Sequence, residues 1–238
     1  MTTTPASQTP PGPSEVPETP VPDPSAPDTS TPDTSALGTR ERILVSAAQV
    51  LSERGYAATR LSDIARRAGV HAPGVYHYFS SRDDLVTQVL REGQRRVRQH
   101  VTAALEASPP HTASRDRIMI AIDAHLRIEL ELSEFATAVT RNLGHVPAPI
   151  RESLQTDSEA YHAVWRDLLA DAVADGSISP SVDVRVARMM VIGALNWAPE
   201  WWHNDDAPVG VVVATAQGIV GDGLFARPDS RITESATP

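Results

Sequence analysis

The run Leu61-Ser62-Asp63-Ile64-Ala65-Arg66-Arg67-Ala68-Gly69-Val70-His71-Ala72-Pro73-Gly74-Val75-Tyr76-His77-Tyr78-Phe79 decides the fold. Leu61, Ile64, Ala65 and Ala68 recur at helical spacing and give a short helix one apolar face. Gly69 then supplies positive φ for a turn too tight for most residues. Pro73 fits the first turn of a second helix, where no internal hydrogen bond is lost. Ala65 is small enough for that helix to cross closely, and Ile64, Val70 and Val75 fill the small core between the two. The spacing predicts a helix-turn-helix, a motif whose second helix enters the DNA major groove. Tyr76, His77 and Tyr78 fall off the core face and carry hydroxyl and imidazole groups suited to phosphate and sugar contacts.

The flanks extend the pattern. Upstream, Ile43, Leu44, Ala47, Ala48 and Leu51 repeat every three or four residues, with Thr39 as candidate N-cap and Gly55 at the left-handed position that ends a helix. Downstream, Ser80 and Asp83 read as a capping pair for a long helix striped by Leu85, Val86, Val89, Val97 and Val101 and ended by Pro109 and Pro110. Further helices are expected at about 114–131, 133–144, 148–175, 182–199 and 208–226, punctuated by Gly144, Pro147, Gly176, Pro180, Pro199 and Pro208. No alternating strand pattern with hairpin turns and no internal repeat occurs, so the fold class is all-α.

Across residues 39–92 the sequence resembles the TetR family of bacterial repressors. The resemblance rests on Gly55-Tyr56-Ala57-Ala58-Thr59, Ile64-Ala65, Ala68-Gly69-Val70, Tyr76-His77-Tyr78-Phe79 and Ser81-Arg82-Asp83-Asp84-Leu85. It implies an N-terminal three-helix DNA-binding domain and a larger helical domain that binds a ligand and dimerises. It further implies a homodimer on a palindromic operator of double-stranded DNA, released by a small-molecule effector. Three positions depart from the family pattern. Arg60 stands where Ser or Thr caps the second helix, so either Thr59 caps one residue early or Arg60 reaches a phosphate. His71 stands where Ser is common, and Arg82 replaces a Lys and keeps its charge for a phosphate. The expected DNA-contacting set is Thr59, Arg60, His71, Ala72, Gly74, Tyr76, His77, Tyr78 and Arg82, with base readout assigned to His71, Ala72 and Gly74.

Charge distribution agrees with a local DNA-binding segment. The net charge is −9, yet residues 38–97 hold ten arginines against six acids. Residues 1–37 hold five acids and no base, together with ten of the twenty prolines and no aromatic side chain. That composition cannot bury enough apolar surface to offset its ordering entropy. The expected organisation is a disordered tail over 1–37, a helix-turn-helix domain over 38–84, a helical ligand-binding and dimerisation domain over 85–227, and a disordered tail over 228–238. The chain has no cysteine, which excludes disulfides, thiolate metal sites and cysteine nucleophiles. It also lacks a secretory signal and any apolar run near the ~20 residues of a membrane span, so a cytoplasmic protein without membrane partners is expected.

For the dimer interface the expected residues are Met189, Gly193, Gly210, Val213, Ala214 and Gly218. Gly210, Ala214 and Gly218 follow at four-residue spacing; glycine inside a helix costs about 1 kcal/mol against alanine, so close backbone approach is indicated. The alternative is that both helices lie inside the monomer core. Gly193-Ala194-Leu195-Asn196-Trp197-Ala198-Pro199-Glu200-Trp201-Trp202 looks like a segment of family members that respond to acyl-coenzyme A thioesters, and reads equally as a packed corner. Expected ligand residues are Met119, Ile122, Leu126, Tyr161, Trp165, Met190 and Trp197, although a Met and aromatic stripe at helical spacing also suits a core. Arg127, Arg141 and Arg166 are candidates for the coenzyme phosphates. His125 and Glu129 lie one turn apart without a third convergent ligand, so neither metal nor cofactor is expected. No nucleophile elbow, P-loop or metalloprotease helix occurs, which leaves an all-α enzyme unsupported. A nonspecific architectural DNA protein remains the second alternative, and would normally be basic throughout.

Overall fold

In the computed structural model, residues 1, 38–179, 181–203 and 207–225 are described. The tails expected to be disordered, 1–37 and 228–238, lie outside the described residues, Met1 apart. Among the described residues ten α-helices follow in chain order: α1 Thr39–Ala58, α2 Leu61–Arg67, α3 Ala72–Val75, α4 Arg82–Glu106, α5 Ser114–Arg127, α6 Glu134–Asn142, α7 Ala148–Ser153, α8 Gln155–Ala174, α9 Val184–Trp201 and α10 Val209–Leu224. A π-helical turn, Ile128–Leu132, continues α5. The described residues contain one isolated β-bridge, Ile178 to Phe225, and no strand. The all-α expectation holds.

Local chemistry sets several helix ends, not all as the sequence suggested. Thr39 is the first helical residue of α1, and Gly38 occupies the cap without a side-chain bond. Gly55 does take positive φ, but at φ 73°, ψ 169°, an extended mirror-image region open essentially only to glycine. The capping pair of α4 sits one residue later than expected. Ser81 Oγ accepts from Asp84 N (3.0 Å), and the Asp84 carboxylate accepts from Ser80 N (2.8 Å) and from Ser80 Oγ. The expected helix at 148–175 divides at Leu154 into α7 and α8. Pro199 does not end α9, which runs on to Trp201 with the proline in its last turn.

Among the described residues, two large buried clusters organise most of the packing, and a third, small one joins Val97, Ile128 and Ala136. The first joins α1, α2 and α3 to the opening turns of α4 through Ile43, Leu51, Ile64, Val75, Phe79 and Leu85, and extends into α6 and α7 through Phe135, Ala138 and Ile150. The second joins the later turns of α4 to α5, α8, α9 and α10 around Ile118, Ile122, Leu126, Trp165 and Leu195. α4 therefore runs unbroken through both. At Gly93 it meets α6 so closely that a Cβ would lie 2.2 Å from Phe135 O.

Candidate DNA interface and effector cavity

Gly69 holds the turn between α2 and α3 at φ 66°. The regular part of α3 is short, but Tyr78 N and Phe79 N both bond Val75 O (3.0 Å each), carrying the helical turn to Phe79. Phe79 and Val75 anchor it in the core. Tyr76 is thereby left 58 % exposed and Tyr78 44 % exposed, beside exposed His71 and His77. Ala72 and Gly74 are half-buried, and a Cβ on Gly74 would meet nothing within 4 Å, so α3 offers bare backbone there. Arg60 is exposed at the N-cap of α2 and bonds no side chain or carbonyl among the described residues. The neighbouring arginines are partly neutralised: Arg54 and Arg66 share Asp63 (2.8 Å each), and Arg67 pairs with Glu53 (2.6 Å).

Two of the expected DNA contacts are committed inward instead. Thr59 is buried and its hydroxyl donates to Gly55 O (2.7 Å), so it caps the end of α1 and leaves α2 without a side-chain cap. Arg82 donates from Nε to Thr59 O (2.8 Å), bonds Tyr56 O, and lies over the Tyr56 ring at 4.2 Å. It also pairs with Asp83 at 3.0 Å. The guanidinium thus ties α4 to the Tyr56 and Thr59 carbonyls at the end of α1, a use its position after a sequence turn does not announce.

A cavity of about 370 Å³ opens between α4, α5, α6, α8 and α9, within the range of small-molecule sites. Gln94, Val97, His125, Glu129, Val139, Thr140, Leu143, Arg151, Ser158, Tyr161, His162, Ile192 and Asn196 are among its lining. The π-helical turn brings Glu129 to the wall, where its carboxylate accepts from Thr140 Oγ1 (2.8 Å). Burial pushes the Glu129 carboxyl up to about 7 and the His125 imidazole down to about 4, because water no longer solvates their charged forms. The same desolvation raises the Tyr161 phenol, whose oxygen stands 2.5 Å from His125 Nδ1. No group of three potential metal ligands occurs among the described residues.

Among the expected ligand residues only Tyr161 lines this cavity. Ile122, Leu126 and Trp165 are core, at or near zero exposure, because they fill the space between α5 and α8. Met119 packs toward α10, its carbonyl accepting from Gln217 Nε2 (2.9 Å). Met190 is 70 % exposed and Trp197 63 % exposed, both on the outer face of α9. Trp202, by contrast, is a corner residue, buried with Nε1 donating to Ala207 O (2.8 Å). Of the phosphate candidates, Arg127 is held by Asp123 and Glu131, and Arg166 pairs with Asp167. Arg141 donates to Ser52 O (3.0 Å) and Pro199 O (2.7 Å). Arg151 is the arginine at the cavity, a residue the sequence did not single out. Gln94 was also missed, although a signal exists: it is a polar side chain on the apolar stripe of α4, between Leu90 and Val97, and it is buried.

The expected interface residues separate in the same way. Met189, Gly193, Gly210, Ala214 and Gly218 are exposed, and a Cβ at Gly193, Gly210 or Gly218 would meet nothing. Val213 is buried in the monomer core. An apolar groove between α9 and α10 is lined by Val186, Met190, Ala194 and Ile219. No helix among the described residues is long and apolar enough to cross a membrane.

Comparison with known proteins agrees with this geometry. Residues 43–89 match the model of bacterial regulatory proteins of the tetR family. Residues 111–205 match the tetracyclin repressor-like C-terminal domain, and the two matches together span more than half the chain. The transcriptional repressor KstR2 of Rhodococcus jostii RHA1 is 29% identical over 195 residues, 79% of this chain and 91% of that one. AibR, solved with isovaleryl coenzyme A and operator DNA, superposes with TM-score 0.68 at 20% identity, covering 79% of this chain and 98% of AibR. FadR from Bacillus subtilis, solved with stearoyl-CoA, superposes with TM-score 0.66 at 19% identity, covering 77% and 98%. The chain belongs to the TetR family of DNA-binding bacterial transcriptional regulators.

Proposed function

We propose that this regulator is a cytoplasmic homodimeric repressor that leaves a palindromic operator when an acyl-coenzyme A thioester enters the cavity. The observation that carries the reading is the double use of α6. One side of α6 lines the cavity with Val139 and Thr140, and Leu143 follows at its C-cap. Its other side holds α1 in the turn before Gly55: Asn142 Nδ2 donates to Leu51 O (3.1 Å) and Arg141 Nη1 to Ser52 O. A ligand that displaces α6 therefore displaces the helix-turn-helix with it, and changes the spacing of two recognition helices that must meet successive major grooves. Near-complete switching needs about 10⁴-fold preference for the released state, about 5.5 kcal/mol.

DNA contact in this reading falls to Arg60, His71, Ala72, Gly74, Tyr76, His77 and Tyr78. Arg60 and the α3 aromatics hold phosphates, and the start of α3 meets base edges. The dimer forms through Met189, Gly193, Gly210, Ala214 and Gly218, where glycines without monomer contacts admit a second backbone. The bound ligands of AibR and FadR support a thioester as effector. An operator selected from random duplexes, then titrated with acyl thioesters of increasing chain length, tests the reading. Release by at least one thioester is expected; a complex indifferent to all of them rejects the effector class.

A further inference from the structure

The cavity wall is polar where a plain alkyl chain would lie. Gln94 Oε1, His125 Nε2 and His162 Nδ1 are buried with no partner at hydrogen-bond geometry; the Asn196 side chain is the polar neighbour of the His125 ring and works against the lowering of its pKa by burial. Each belongs to a lining residue. Gln94 already donates from Nε2 to Ser158 Oγ (2.6 Å), and His125 Nδ1 is taken by Tyr161. Leaving a buried polar atom unpaired is costly, so a methylene packed against these atoms forfeits much of its own gain.

Resting on the thioester reading above, we propose that the acyl group this cavity selects carries a hydroxyl, held by Gln94 and His125. The proton arrangement singles out that group. In one tautomer Tyr161 donates to His125 Nδ1 and leaves Nε2–H as a free donor; in the other, Nε2 is a bare acceptor and the phenol proton is free. Gln94 offers an acceptor in one amide orientation and a donor in the other, since the Ser158 hydroxyl serves both. A hydroxyl donates one hydrogen bond and accepts two, so it satisfies every combination but that of two bare acceptors, which the tautomer with Nε2–H avoids. A carbonyl only accepts and cannot serve an open Gln94 oxygen. A terminal carboxylate would add negative charge beside Glu129, which no cation contacts. Arg151, exposed on the same lining and unpaired among the described residues, is placed for the anionic coenzyme end.

Calorimetric titration of the full chain with hexanoyl-CoA, β-hydroxyhexanoyl-CoA and ω-hydroxyhexanoyl-CoA tests this directly. At least one hydroxylated thioester should bind about ten-fold or more tighter than hexanoyl-CoA, as expected when a ligand pairs buried polar atoms that its analogue leaves open. Gln94→Leu should remove most of that preference while keeping hexanoyl-CoA affinity equal or better. His125→Leu provides a second variant, and the comparison on the unaltered chain needs neither. Equal affinity for plain and hydroxylated thioesters overturns the inference and leaves the effector class standing; so does a preference that survives both substitutions. If no thioester binds, the effector class falls and the inference falls with it.

Discussion

Replacing Glu129 by glutamine keeps the side-chain shape and an oxygen for Thr140 to donate to, but removes a buried ionisable group. Burial raises the Glu129 carboxyl from its ordinary 4.5 to about 7 in the folded chain. At about 1.4 kcal/mol per unit, that interval corresponds to a cost of about 3 kcal/mol once the group is ionised. The sign follows from proton counts. Between 4.5 and about 7 the folded chain binds the Glu129 proton and the unfolded chain does not, so stability from this group is complete below 4.5 and declines as pH rises to about 7. His125 acts oppositely: burial lowers it from 6.5 to about 4, so its contribution is complete above 6.5 and is lost as pH falls to about 4. The two slopes oppose each other from 4.5 to 6.5. The other titratable or charged groups on the cavity lining are Tyr161, His162 and Arg151. Urea unfolding of the parent and Glu129→Gln, without ligand, at steps across the window from 4.5 to about 7, measures the difference directly. The variant should gain on its parent progressively with pH, by about 3 kcal/mol in all. A difference that stays constant with pH would show that Glu129 remains solvated, and would refute the placement of its carboxyl in a closed wall.

Other substitutions probe the remaining sites. Arg82→Ala should destabilise the chain by about 1–3 kcal/mol, because a charged donor to the carbonyls of Tyr56 and Thr59 is lost. Its salt slope of operator binding should stay unchanged; a slope lowered by about one would return Arg82 to the phosphates. Arg60→Ala should lower that slope by about one with little change in melting temperature, and an unaltered slope would remove Arg60 from the interface. Gly93→Ala should cost about 1–3 kcal/mol by forcing α4 from the Phe135 carbonyl, measured as a fall in urea midpoint. Gly218→Leu meets nothing in the monomer, so sedimentation should show loss of the dimer with helical content intact; a persisting dimer would move the interface elsewhere.

How much of this was legible beforehand can be followed residue by residue. The helix-turn-helix was, because its signals are local: Gly69 at positive φ, Pro73 in the first turn of α3, and a period that places Ile64, Ala65 and Val75 inside. Tyr76, His77 and Tyr78 were read as surface for the same reason, since helical spacing alone turns them off the core face. The exposed glycines of α9 and α10 were legible too, as residues that helix propensity would otherwise remove. Capping was legible only to within a residue, because Ser80 and Ser81 offer the same chemistry and the backbone of α4 chooses between them.

Tertiary structure alone decided which polar and apolar side chains face the cavity. Ile122, Leu126 and Trp165 satisfy the same periodic pattern as pocket residues, and only the fit of α5 against α8 assigns them to the core. His125 and Glu129 drew notice as a pair one turn apart, but their environment comes from α4, α6, α8 and α9 closing over them. Arg82 was readable as a charge near the DNA-binding segment; its partners, the carbonyls of Tyr56 and Thr59, are more than twenty residues away in sequence. A sequence encodes turns, caps and helix faces through neighbours within one or two turns, so these survive any packing. The space between five helices, and the desolvation that moves His125 and Glu129, is a sum over distant segments that no local pattern contains.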